Sequence, residues 1–141
     1  MKKVLALTPE DALTMMKAAE LKAKEIGVDM DIAITDSNGS LLMFHRMEYG
    51  KIASIDIAIN KAFTAAAQRK STRAYGEISQ PGGPTYGIES SNQGRFTIFA
   101  GGVPLFVEGQ IVGAIGCSSG TPDQDEAVAQ AGLEAIKASL S

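Results

Sequence analysis

The side chains able to do chemistry gather mainly in one stretch, GAIGCSSGTPDQDE, residues 113–126. Among three glycines it carries the single thiol, Cys117, the hydroxyls of Ser118, Ser119 and Thr121, and the acids Asp123, Asp125 and Glu126. A glycine-rich turn that feeds a helix start presents free backbone N–H groups and can receive an anion. The same glycines can equally serve close packing and turn geometry, and both readings stand open. No lysine follows the glycines as a nucleotide-phosphate loop requires. The hydroxyls of Ser118 and Ser119 stand far in sequence from the single histidine, His45, which argues against a serine hydrolase. Acids at a helix start complement its dipole, with an acid–base role as the alternative. Cys117, at the end of the apolar run IVGAIGC, reads as a buried and inert thiol. One cysteine allows neither an internal disulfide nor a multi-thiolate metal site.

The only imidazole, His45, lies far off in SLLMFHRM. Strand alternation sets it beside Leu41, Met43 and Met47 on a face expected to be partly buried, with Arg46 on the other face. Such a residue is either a hydrogen-bonded core or interface histidine or an axial ligand to a tetrapyrrole metal, since neutral imidazole binds iron and cobalt well.

The positioning elements follow from caps and periodicity. Thr8-Pro9-Glu10-Asp11 starts a helix, with Thr8 as cap and Pro9 at the first position. Ala12, Met16, Ala19, Ala23 and Ile26 form its apolar face and Gly27 closes it. Residues 30–35, MDIAIT, form a strand; the Asp36-Ser37-Asn38-Gly39 turn leads back into SLLMFHRM. Residues 54–69 form a second helix whose Ala58, Ala62, Ala65 and Ala66 allow close packing. From 71 to 92 regular pattern is lost, and a loop this long is functional, a cover or an oligomer contact. RFTIFA, PLFVE and QIVGAIGC read as three more strands. Thr121 and Gln124 then bracket Pro122 in a capping box that opens a last helix, running to about Ser139. Five strands joined by short connections predict one antiparallel sheet with helices on its faces, a single α/β (α+β) domain over 1–141.

With 141 residues, 45% hydrophobic and 21% charged, the chain is globular and long enough for one core. A net charge of −3 with scattered cations argues against a nucleic-acid partner. The apolar part of MKKVLAL is too short for a signal-peptide core, and no run approaches a membrane span. The expectation is a soluble, cytoplasmic protein with no membrane partner.

The blocks RMEYGKIASIDIAINKAFTAA, PTYGIESSNQGRFTIFAGGVPLF and QIVGAIGCSSGTPDQDEAVAQAG, in this order, resemble the GlcG/HbpS family, closest to its PduO C-terminal-like branch. The resemblance implies a profilin-like three-layer α/β/α fold with a five-stranded antiparallel sheet, often in homo-oligomers up to octamers. Some relatives bind heme and some are linked to cobalamin metabolism. By this resemblance Arg46-Met47-Glu48-Tyr49 stands at the family's Arg-Met-Asp-Gly, with the bulkier Tyr49 in place of Gly. Lys61 occupies the family's helix lysine, Gly101-Gly102-Val103-Pro104 its Gly-Gly-x-Pro turn, and Asp125-Glu126 its acidic pair. Gly116-Cys117-Ser118-Ser119-Gly120 matches Gly-x-Ser-Gly-Gly with Ser119 replacing Gly. The adenosyltransferase activity of PduO-type proteins belongs to a separate N-terminal domain and is not expected here.

The expected function is therefore a non-catalytic, oligomeric tetrapyrrole-binding protein in diol or glycolate cofactor handling, with heme favoured over cobalamin. His45 is the candidate axial metal ligand, and Arg46, Lys61 and Arg95 the candidate partners for ring carboxylates. Gly101, Gly102, Pro104, Ser118, Ser119, Asp125 and Glu126 are expected to line the site. The rivals are an enzyme acting on a small carboxylate or aldehyde and a structural assembly subunit.

Overall fold

The computed structural model describes residues 1–140. Helix α1, Pro9–Ile26, starts on a reciprocal cap in which the Thr8 hydroxyl accepts the Asp11 N–H and the Asp11 carboxylate accepts the Thr8 N–H. It ends at Gly27, whose φ of 73° is the left-handed conformation that glycine adopts freely. Strands β1, Asp31–Asp36, and β2, Leu41–Arg46, follow. Their turn is held by the Asp36 carboxylate, which accepts the N–H groups of Asn38 and Ser40. Helices α2, Ala53–Gln68, and α3, Thr72–Glu77, lead into two single 3-10 turns. Strands β3, Gly102–Val107, and β4, Gln110–Ser118, precede α4, Pro122–Ser139, which opens on the Thr121–Gln124 capping box.

The sheet has four antiparallel strands in the order β2-β1-β4-β3, not the five expected. RFTIFA, residues 95–100, forms no strand, because its side chains anchor it to the helices instead. Phe96 stacks on Phe63 of α2 at 5.7 Å and meets Tyr75 of α3 edge-on at 5.9 Å. The Thr97 N–H is donated to the Thr64 hydroxyl at 3.0 Å, so it is not available to a sheet neighbour. The patternless stretch from 71 to 92 also contains α3, six residues capped by the Ser71 hydroxyl and too short to show helical periodicity.

Alternation along β1 and β4 divides the core. Ile32, Ile34, Ile115 and Cys117 pack with the buried stripes of α1 and α4, whereas Ala33 and Ala114 belong to the clusters formed with α2. Helices thus cover both faces, and α2 lies very close to the sheet. A Cβ added at Gly116 of β4 would stand 2.3 Å from the Ala58 carbonyl oxygen and 2.5 Å from the Ala62 nitrogen. The alanines anticipated for close packing, Ala58, Ala62, Ala65 and Ala66, are all buried there.

Since backbone and not a flexible side chain blocks that space, Gly116→Ala must push α2 outward. We expect a loss of about 1–3 kcal/mol, typical of overpacking. Urea denaturation should show a lower midpoint at an unchanged m-value; an unchanged midpoint would mean that α2 lifts away without cost.

Candidate functional site

The most buried polar feature joins the two helical layers around the end of β4. Lys61 projects from α2 and is 0% exposed, although it shares a helical face with Ala58 and Ala65. Its ammonium donates to the Asp125 carboxylate of α4 at 2.8 Å and to the Cys117 carbonyl at 3.0 Å, and lies 4.8 Å from the centre of the Phe99 ring. The other Asp125 oxygen accepts the Gly120 N–H at 2.9 Å. Burial pushes Lys61 below the usual lysine range and Asp125 above the usual carboxylate range, while their mutual hydrogen bond opposes both shifts. Burial likewise raises the Cys117 thiol, which keeps it protonated and inert, as expected.

The glycine bends here are closed on protein atoms. A Cβ at Gly101 would stand 2.6 Å from the Lys61 Nζ, and one at Gly102 2.4 Å from the Lys61 carbonyl oxygen. The Gly102 N–H is donated to the Thr72 hydroxyl, and the Cys117 N–H to the Gly101 carbonyl. The N–H groups of Gly120, Thr121 and Gln124 are all engaged within the capping turn. Of the two readings of residues 113–126, the geometry carries strand-to-helix punctuation. Pro104 lies on the outermost strand opposite Ala114, where its missing N–H costs no sheet bond.

A second buried carboxylate, missed from sequence, begins β1. Asp31 accepts the Ser119 hydroxyl at 2.7 Å through Oδ1, while its Oδ2 has no hydrogen-bond partner. The Ser119 oxygen also accepts the Lys51 N–H at 2.9 Å. Ser119 holds this bridge at φ 106°, a conformation that disfavours a side chain. Next to it the Ser118 hydroxyl donates to Ser54 at 3.1 Å. Burial raises the Asp31 pKa above the ordinary range, with the Ser119 hydrogen bond and the Arg46 charge acting against the shift.

The remaining candidates do not join this cluster. Arg95 lays its guanidinium over the Phe63 ring at 3.7 Å. Glu126 is bound by Arg73, whose Nε lies 3.0 Å and 3.1 Å from its two oxygens, and which also pairs with Asp123. Nothing in the sequence signalled Arg73, because it stands fifty residues from Asp123. Arg46 is exposed and pairs across the ladder with Asp31. His45 is not partly buried as expected: its side chain is 51% exposed, since β2 is an outermost strand. It faces α1 and contacts the Glu20 carboxylate through Nδ1. Among the described residues no group of three or more His, Cys, Asp and Glu comes together to hold a metal ion.

Two consequences can be measured. Lys61→Met strands a buried carboxylate and should cost about 3–5 kcal/mol, whereas Lys61→Met with Asp125→Leu removes both charges and should recover most of the loss. Simple additivity in urea denaturation would refute the coupling. At Asp31 the folded state keeps its proton to higher pH than the unfolded chain. Stability therefore falls as pH rises from about 4 through the folded pKa. Asp31→Asn should reduce that slope in a denaturation series; an identical slope would contradict the burial effect.

Known proteins resemble this chain in both sequence and overall fold. The family described as haem degrading protein HbpS-like matches residues 7–134. A 15.0 kDa protein encoded between dhaT and dhaS in Citrobacter freundii is 37% identical over 131 residues, covering 93% of this chain and 92% of the relative. The Klebsiella pneumoniae protein ORFY superposes with a TM-score of 0.95 at 36% identity, covering 98% and 95% of the two chains. The protein in a PduOC:heme complex superposes at 0.90 with 33% identity, covering 93% and 95%. The corrinoid adenosyltransferase PduO of Salmonella typhimurium is 33% identical over 94% of this chain, but the match spans only 39% of that protein. The capped helices, the antiparallel sheet and these matches lead to one assignment: the chain belongs to the HbpS-like family, the GlcG/HbpS family of the sequence resemblance.

Proposed function

We propose that this chain binds a heme-type tetrapyrrole on the outer surface formed by α1 and β2. The observation that carries the reading is the half-exposed His45 imidazole on a chain whose close structural neighbour was crystallised with heme. Its donor chemistry fits the group, since imidazole nitrogen is a common axial ligand of heme iron. When bound, heme would supply an iron centre open to axial ligation. The protein's part is to orient the imidazole and to hold the acidic edge of the ring. Lys17 and Lys24 flank Glu20 at helical spacing on α1, so cations for ring carboxylates lie on that helix, whereas Arg46 alternates to the other face of the sheet.

Lys61, the glycine bends and Asp125 play a supporting part in this reading, because their polar groups are engaged within the protein. Heme is favoured over a corrinoid, as the relatives named for corrinoid chemistry are matched over 39% of their length. No helix among the described residues is long and apolar enough to cross a membrane. We further read the protein as a cytoplasmic homo-oligomer, up to an octamer, in cofactor handling. Tyr49 and Ile52, which are 79% and 76% exposed before α2, are apolar surface of the kind that subunit contacts cover.

Titration of the purified protein with hemin should give a saturable Soret shift at micromolar ligand, weakened strongly in His45→Ala. Absence of a saturable shift in the wild type would end the proposal.

A further inference from the structure

Glu20 has no evident task in the core. Helix α1 turns Ala12, Met15, Met16, Ala19 and Ala23 inward, whereas Glu20 and His45 meet at the surface. An exposed ion pair of this kind contributes little to stability. It does, however, decide which imidazole nitrogen is available. With Nδ1 on the Glu20 carboxylate, a neutral ring carries its proton there and keeps its lone pair on Nε2. That Nε2 has no hydrogen-bond partner within the described residues. A carboxylate behind a metal-binding histidine fixes ring orientation and strengthens the donor.

The surroundings also say which kind of metal suits the site. With no cluster of three ligating residues among those described, a bare cation would find a single protein nitrogen here. Iron in a porphyrin arrives with four nitrogens of its own and accepts one more from an imidazole. The outer position of β2 in the sheet leaves no further strand beside it.

We infer that Glu20 is a positioning residue that holds His45 as the Nδ1–H tautomer and presents Nε2 as an axial donor to a metalloporphyrin. The axial role rests on the heme reading above; the tautomer does not, and so the two can fail separately. In the metal-free protein at mildly alkaline pH, imidazole ¹⁵N shifts should report the Nδ1–H form in the wild type and a shift toward Nε2–H in Glu20→Ala. With hemin, Glu20→Gln should weaken binding about 10–100-fold, in line with the loss of an outer carboxylate partner. Resonance Raman spectra of its reduced complex should show a lower iron–imidazole stretching frequency, while the thermal midpoint stays near that of the wild type. An unchanged tautomer in Glu20→Ala overturns the role of Glu20. A wild type that binds no hemin, or a His45→Ala variant with the wild-type spectrum, overturns the axial role.

Discussion

The fold is organised around one buried ion pair. Lys61 and Asp125 come from helices on opposite faces of the sheet and meet beyond the end of β4, where Lys61 also takes the Cys117 carbonyl. Removing both charges from water costs several kcal/mol per ion, so such a pair persists only where its geometry and extra hydrogen bonds are good. Here both Asp125 oxygens are bonded, and the ammonium has two oxygen partners and an aromatic face. For Lys61 to reach that point, α2 must lie directly on β4. This explains why the sheet carries glycine at 116 and why β3 opens with glycine at 102.

Closing this end of the molecule has a functional consequence. The glycines that look like an approach path for a flat ligand are closed by Lys61 and Thr72, and the N–H groups of Gly120, Thr121 and Gln124 are spent within the capping turn. Both Asp125 oxygens and the Lys61 ammonium are engaged, whereas Asp31 Oδ2 at the same end has no partner. The one imidazole, by contrast, is left half-exposed at the surface, where the proposed function puts the ligand. The bridge from Asp31 through Ser119 to Lys51 belongs to the same closed end, held at the expense of a left-handed serine.

Much of the architecture was legible because its signals are local. Thr-Pro starts with an acid or amide two residues after the proline mark α1 and α4, Gly27 marks an end, and alanine spacing marks the face of α2 that meets the sheet. The fifth strand was misread because Phe96 and Ile98 alternate as strand residues do, while the ring contacts that hold the segment to α2 and α3 are long-range. Long range is also why the candidate site was only half visible. Lys61 and Asp125 were named separately, yet their pairing across 64 positions leaves no spacing to read. Glu20 and Asp31 went unnoticed for the same reason, their partners being 25 and 88 residues away. A lysine on an alanine-lined helix face was the one sequence signal that a buried charge pair existed.

The central claim is that the ion-paired end of the molecule is closed structure and that ligand is received on the α1–β2 surface. Paramagnetic broadening of amide resonances by hemin maps the ligand directly onto the chain. The account predicts broadening centred on residues around Glu20 and His45, with Gly101, Gly102 and Ser118 spared. Broadening centred on Gly101, Gly102 and Ser118, with the α1–β2 surface unaffected, would contradict it.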